Sequence, residues 1–329
     1  MKRRTFSRWC GTLALASLPW APMALAADAG TYPDKMVRIV IPYPAGGSAD
    51  IMARLVASKL SDMWSQPVTV ENRPGAGGNI GAEAVANAAP DGYTLLFSPP
   101  APFVINEALF RKLSYQPAAF EPITLVTMIP NTITVRPDLP IHNVNELLAY
   151  AKANPGKMTH GSQGNGSTSH LTGELFTDMT QTDMVHVPYK GEGPALIDLI
   201  GGRVDLFFGN ISAVLRFHQE GKVRIIGVTS TDRAQSAPDI PTVPEQSELD
   251  DFLASAWFAL AAPAGTPLPI RQKIQADTAK VLQQPDVRAT LQDLGAEVVG
   301  STPEAMGEFL ASERQRWGNV IRNAGVKID

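Results

Sequence analysis

Two glycine-rich turns carry the strongest chemical signal in this chain: Pro44-Ala45-Gly46-Gly47-Ser48-Ala49-Asp50 and Asn72-Arg73-Pro74-Gly75-Ala76-Gly77-Gly78-Asn79. Each follows a short β-branched run and leads into a helix-like stretch, so each presents unpaired backbone N–H groups at the positive end of a helix dipole. That combination suits a carboxylate or a phosphate, and the missing side chains let an anion approach the backbone closely. Glycines also make tight turns that bind nothing, so neither turn identifies a ligand on its own. A third glycine- and hydroxyl-rich turn, Gly161 to Ser169, holds Ser162, Gly164, Gly166, Ser167 and Thr168, with His170 just behind it.

Other chemistry is weaker. Gly75, Gly77 and Gly81 imitate a dinucleotide fingerprint, but the last gap is three residues rather than two, and no Gly-Lys-Ser/Thr closes any turn as a phosphate loop would. His142, His160, His170, His186 and His218 are dispersed without the spacing of a helical zinc site, so no metal and no cofactor is expected. His170 and Glu174 stand one helical turn apart and suit a local polar pair. Ser162, in His160-Gly161-Ser162-Gln163-Gly164, imitates a nucleophile elbow, yet histidine stands where the elbow needs its first glycine and no partner base is identifiable. Lys190 can neutralise an anion or be merely solvated. Tyr43 and Tyr189 can line a pocket or pack, Phe103 and Trp257 can touch ligand or fill a core, and Arg73 suits a structural role beside Pro74. Asp50, in the first turn of a helix, favours the dipole and would repel a nearby carboxylate, so it is expected to support the turn.

The first 26 residues belong to a different argument. Lys2, Arg3, Arg4 and Arg8 form a basic front, Gly11 to Ala21 is mostly apolar, and Ala24 and Ala26 supply the small residues of a cleavage site, the pattern of a secretory signal peptide over 1–26. Arg3-Arg4-Thr5-Phe6 also fits part of a twin-arginine signal. Cys10, the sole cysteine, would leave with that leader, which removes disulfides, thiolate nucleophiles and cysteine metal ligands from the mature chain. The formal charge of −4 becomes −8 once four basic residues and no acidic one are lost, which excludes nucleic acid as an expected partner. The remaining chain is long enough for about two domains.

These residues need elements to hold them. Val37 to Ile41 reads as a buried strand, and Ile51, Leu55, Leu60 and Met63 recur at helical spacing behind Ser48, a candidate N-cap. Tyr93 to Phe97 reads as another strand. Three strand–turn–helix units in succession predict a parallel sheet with right-handed crossovers. Asn143 with Glu146 predicts a capping box for a helix ended by Asn154-Pro155-Gly156, and Ser167 a cap for the helix carrying Leu171, Leu175, Phe176 and Met179. A short helix opens at Pro194 and stops at Gly201-Gly202. Val204 to Phe208 and Val223 to Thr229 read as strands, Ala256 to Pro263 as a long connection or crossing strand, and the rest as mainly helical with a strand at Glu297 to Val299.

Taken in order, the motifs Tyr32-Pro33-Asp34-Lys35, Pro42 to Asp50, Glu71 to Gly81, Ala89 to Leu95, Gly164 to Ser167, His170-Leu171, Val187 to Gly191, Pro194 to Leu196, Gly201-Gly202 and Ala262 to Pro267 resemble the Bug-type solute receptors of tripartite tricarboxylate transporters over essentially the whole mature chain. The resemblance implies an α/β periplasmic binding protein of two domains (Venus-flytrap) with a ligand cleft between them. Domain 1 would comprise 27–126 and 250–329 and domain 2 127–249, with hinge crossings near Leu125 to Ile129 and near Asp251 to Ala259. It implies binding without catalysis of a small carboxylated metabolite, transient contact with an inner-membrane permease, a monomer, and a periplasmic location. Carried onto matching positions, the ligand contacts fall at Tyr43, Ala45, Gly46, Gly47, Ser48, Gly78, Asn79, Ala101, Phe103, Ser162, Gly164, Gly166, Ser167, Thr168, His170, Tyr189 and Lys190. The alternative is a secreted hydrolase using Ser162 or Ser167. Two departures from the family pattern, Gly209-Asn210 where relatives have an aspartate and the proline-rich Pro99 to Phe103, leave the distal pocket open and favour an aromatic or aliphatic carboxylate over a citrate-like one.

Overall fold

The computed structural model describes residues 29–328, so the leader expected over 1–26 lies outside the described residues. The chain opens as β1 (Val37–Ile41), α1 (Ser48–Trp64), β2 (Val68–Asn72), α2 (Asn79–Ala86) and β3 (Thr94–Ser98). Strand β1 lies between β2 and β3, parallel to both, because each pair is joined by a helical crossover. The run Val37-Arg38-Ile39-Val40-Ile41 is buried at every position but Arg38, and α1 lays Met52, Ala53, Val56 and Leu60 into the same core. Ser48 does not cap α1; it is the first helical residue, Gly47 takes the cap position, and no side chain closes the end.

A wide π-type turn over Ala101–Ile105 and the short α3 (Asn106–Leu109) lead into β4 (Phe120–Val135). The second run is α4 (Val144–Ala153), β5 (Met158–Ser162), α5 (Thr168–Thr180), β6 (Met184–Pro188), α6 (Glu192–Ile200), β7 (Leu206–Asn210), α7 (Ile211–Gln219) and β8 (Arg224–Val228). The chain returns through β9 (Ser255–Pro263) and ends as α8 (Leu268–Leu282), α9 (Pro285–Asp293), β10 (Glu297–Val298) and α10 (Pro303–Ala324). The capping box forms at α4, where the Asn143 side chain accepts from the Glu146 amide and Glu146 accepts from the His142 amide, and Ser167 caps α5.

The strands run β2-β1-β3-β9-β4-β7-β5-β6, with β8 and β10 also on β4. Strand β4 joins two α/β lobes. From Phe120 to Pro130 it pairs antiparallel with β9, and from Asn131 to Val135 it pairs with β7 and β8. Sequence patterning missed this sixteen-residue strand because Pro122 and Pro130 lie inside it, and the β4–β9 register slips between Pro122 and Thr124 and again between Leu125 and Thr127. Helix α10 is anchored by a buried carboxylate: Glu313 Oε2 accepts from the indoles of Trp257 and Trp317, both at 3.0 Å, and Arg316 lies 3.2 Å from Oε1. No helix of the described residues is long and apolar enough to cross a membrane.

Candidate ligand-binding site

The first glycine turn leaves the carboxyl end of β1 and is held from below by Asp50. Its buried carboxylate accepts from the Gly46 amide (2.9 Å), Arg54 Nε (2.9 Å) and Asn72 Nδ2 (3.0 Å). Asn72 Nδ2 also donates to the Tyr43 carbonyl at 3.1 Å, so the turn after β1 and the end of β2 are one unit. The Arg54 hydrogen bond, with those of Gly46 and Asn72, lowers the Asp50 carboxyl to about 2. Asp50 therefore shapes the turn, as its position suggested. Ala45, Gly46, Gly47 and Ser48 are exposed, open space lies where a side chain at Gly46 or Gly47 would point, and the first-turn amides of α1 have no side-chain cap.

The second turn runs through four consecutive positive φ values, +130°, +48°, +63° and +96° at Gly75, Ala76, Gly77 and Gly78, and α2 starts without a side-chain cap. A Cβ on Gly78 would lie 3.1 Å from both the Tyr43 hydroxyl and Pro102 Cγ, which brings the first turn, the second turn and the 100–105 segment together. Asn106 Nδ2 donates to the Gly77 carbonyl (3.0 Å) and to Asn79 Oδ1 (2.6 Å), and the Tyr115 hydroxyl lies 3.2 Å from that same oxygen. The Asn79 acceptor is thus spent inside the lobe. Phe103 also departs from its expected place: its ring is 2% exposed and stacks on Trp257 with centroids 5.9 Å apart, so it fills the core while Ala101 stays half-buried nearby. The proline-rich spelling of this segment had suggested an apolar pocket wall, but the wide turn directs the ring inward.

The second lobe contributes the carboxyl ends of parallel β5, β6 and β7. Gly164 (φ +128°) and Gly166 (φ +75°) shape the loop before α5. The Ser167 hydroxyl donates to the Gly164 carbonyl at 2.7 Å and accepts from the His170 amide at 3.2 Å, so both of its functions are local. Thr168 is half-buried at the head of α5 and Lys190 is exposed. Tyr189 turns its hydroxyl to Asp198 at 2.8 Å rather than toward ligand; burial and that hydrogen bond raise it to about 12. Helices α6 and α7 start at Gly191 and Asn210 without side-chain caps. Four helix starts, two from each lobe, thus offer backbone donors.

Beneath this loop lies a cluster that sequence spacing did not reveal. His160 and His186 are register partners on β5 and β6, and His170 comes from α5, so three imidazoles pile up: His170 on His186 at 3.9 Å and 18°, His160 on His186 at 5.0 Å and 26°. His170 Nε2 lies 3.3 Å from Glu174, the predicted pair, and its Nδ1 accepts from the Gly166 amide at 3.1 Å. His170, Glu174 and His186 bring donor atoms within 4.8 Å of one another, yet the arrangement does not fit one metal ion. Stacked rings hold their lone pairs in near-parallel planes, and His170 Nδ1 is already taken by the Gly166 amide. Burial lowers His160 to about 3 and His186 to about 4, keeping both neutral. Ser162 Oγ, 2.6 Å from His186 Nε2, looks like a nucleophile beside its base. It is fully buried and also takes the Gly164 amide at 3.1 Å, so no substrate carbonyl reaches it. Recognising β5 and β6 as parallel neighbours would have exposed the His160–His186 pairing in advance.

A cavity of about 210 Å³ lies instead at the crossing of the lobes, beside Pro130, Asp232, Trp257 and Arg316. Its acidic lining of Asp232, Glu297 and Glu313 against one arginine does not suit an anion.

This architecture and its paired anion-seeking turns define a solute-binding receptor. The family described as "Tripartite tricarboxylate transporter family receptor" matches residues 52–326, and the chain belongs to it. Protein BugT of Bordetella pertussis is 38% identical over 310 residues, covering 94% of this chain and 95% of that protein. An R. palustris protein solved with adipate superposes with a TM-score of 0.77 at 34% identity, covering 90% of this chain and all of that one. MatC from Rhodopseudomonas palustris, solved with bound malate, gives 0.73 at 35%, covering 88% of this chain and all of that one. The protein is a transport receptor rather than an enzyme, and the hydrolase alternative is unsupported.

Proposed function

We propose that this receptor captures a small carboxylated metabolite between its two lobes, in the periplasm, and passes it as a monomer to an inner-membrane permease. The observation that carries the reading is the open, uncapped start of α1 behind Gly46 and Gly47. The uncapped starts of α2, α6 and α7 add donors from both lobes. The contacts come mainly from backbone at Ala45 to Ser48, Gly78, Gly164, Gly166 and Thr168, with Tyr43, Ala101 and Lys190 around them, while Asn79, Phe103, Ser162, Ser167, His170 and Tyr189 hold those segments in place. The lobes correspond to 27–126 with 250–329 and to 127–249; the change of β4 partners at Pro130/Asn131 supports a hinge there. Residues 1–26 direct export. That relatives were solved with adipate and with malate supports the ligand class.

A thermal-shift screen of malate, adipate, citrate and benzoate on the mature chain tests this, since a ligand at about 100 times its Kd stabilises the fold by about 2.7 kcal/mol. Mass spectrometry of any small molecule that copurifies would name the solute. Stabilisation by sugars alone, with no carboxylate active, sinks the assignment.

A further inference from the structure

The loop that the second lobe offers to a ligand is tied down by imidazoles. A backbone amide can only donate, so the Gly166 contact with His170 Nδ1 at 3.1 Å exists only while that nitrogen carries no proton. Two residues earlier, Ser162 Oγ accepts from the Gly164 amide (3.1 Å) and sits 2.6 Å from His186 Nε2. Both ties end on the stack of rings beneath the loop, and at Gly166 the loop also meets Leu109 of the first lobe.

Of the three rings, only His170 has an acid within hydrogen-bond distance. Its Nε2 lies 3.3 Å from Glu174 Oε1, whereas His160 stands 3.9 Å from the same oxygen, fully buried, with both ring nitrogens unpartnered. Burial holds His160 and His186 neutral, so neither competes for a proton. Burial also works against the charge on Glu174, but the His170 hydrogen bond and the nearby imidazoles keep its carboxyl below the usual carboxylate range. The Glu174 side chain is 21% exposed and lines a surface pocket of about 370 Å³ between α5 and the end of α10, so solvent protons reach the pair. The other acids close by are engaged: Asp178, one turn along α5, accepts from Asn323 of α10 at 3.1 Å, and Glu107 of α3 faces Arg314 at 3.5 Å.

Resting on the proposed capture of a carboxylated metabolite, we infer that His170 is a proton-sensitive positioning residue, which fixes the loop before α5 when neutral and releases it when protonated. The added proton goes to Nδ1, where it confronts the Gly166 N–H, while Nε2–H keeps Glu174. A loop fixed beforehand costs no ordering when the solute arrives and a released one does, so affinity falls as pH falls.

Hydrogen exchange of the mature protein without solute tests the tie directly. After correction for intrinsic rates, a peptide spanning 163–168 should exchange about fivefold faster at about pH 5.5 than at about pH 7.5, the loss expected for one hydrogen bond. Calorimetry with malate and with adipate should show affinity weakening over the same interval by about the same factor. His170→Asn sets Oδ1 close to the place of Nδ1 as an acceptor that takes no proton, and should abolish the acid step in exchange. Glu174→Gln keeps an acceptor for Nε2–H but removes the charge, and should move the step about one pH unit lower; it decides the matter if the asparagine variant fails to fold. Exchange in wild type that ignores pH, or a step that persists unchanged in both variants, overturns the assignment. A loop that opens with acid in a protein binding neither malate nor adipate upholds the tie and counts against the capture reading instead.

Discussion

Asp50 and Gly46 show how one turn is kept both rigid and open. Asp50 takes three donors, including the Gly46 amide, and its carboxyl sits near 2 in the folded protein against about 3.9 in an unfolded chain. A depressed carboxylate contributes stability that is complete above the unfolded value and disappears as pH falls through the folded one. The melting-temperature gap between wild type and Asp50→Asn should therefore be widest above about pH 5 and close toward about pH 2; a gap that widens on acidification contradicts this. Gly46 has φ +86° with open space beyond it. Gly46→Val should therefore cost about 1–2 kcal/mol of stability from the left-handed backbone and weaken ligand binding separately by blocking approach. Urea unfolding and ligand titration on the same variant read the two effects apart.

At the scale of elements, two contacts bind parts far apart in sequence. Gly166, in the loop before α5, faces Leu109 of α3, and a Cβ there would come 2.3 Å from Leu109 Cδ2. Gly166→Ala should destabilise by about 1–3 kcal/mol from overpacking and positive φ together. In a double-mutant cycle Leu109→Ala should recover part of that loss, because it removes only the steric share; strict additivity would show that the two do not press on one another. The second contact is Glu313 beneath Trp257 and Trp317. Glu313→Leu leaves two buried indole N–H groups and Arg316 without their acceptor, which should cost about 3 kcal/mol and alter tryptophan fluorescence. An unfolding midpoint equal to wild type would refute that anchoring role.

For the whole molecule, strand β4 and the return into β9 are the covalent path between lobes that each carry two uncapped helix starts. A ligand touching both gains donors on closure that it lacks when the lobes are apart, and only such differential binding shifts the population. Small-angle scattering of the mature chain should thus show a smaller radius of gyration with a saturating ligand from the carboxylate screen. Saturable binding with an unchanged profile would mean that a single lobe holds the solute.

The sequence by itself determined a good deal of this. Local patterning located β1, β3 and the helix caps at Asn143 and Ser167, because those signals depend on near neighbours in sequence, while Ala256 to Pro263 stayed open between a long connection and a crossing strand until the structure made it β9. Glycine-rich turns between strands and helices suggested anion binding for the same local reason. Motif order supplied the receptor family. What only the tertiary structure decided is where side chains point once distant segments meet. Phe103 turned into the core, Tyr189 turned to Asp198, and Ser162 was sealed against His186, because each found a partner that no local pattern encodes. The stacking of His160, His170 and His186 likewise depends on strand register and on burial across the sheet, which are properties of the packed chain alone.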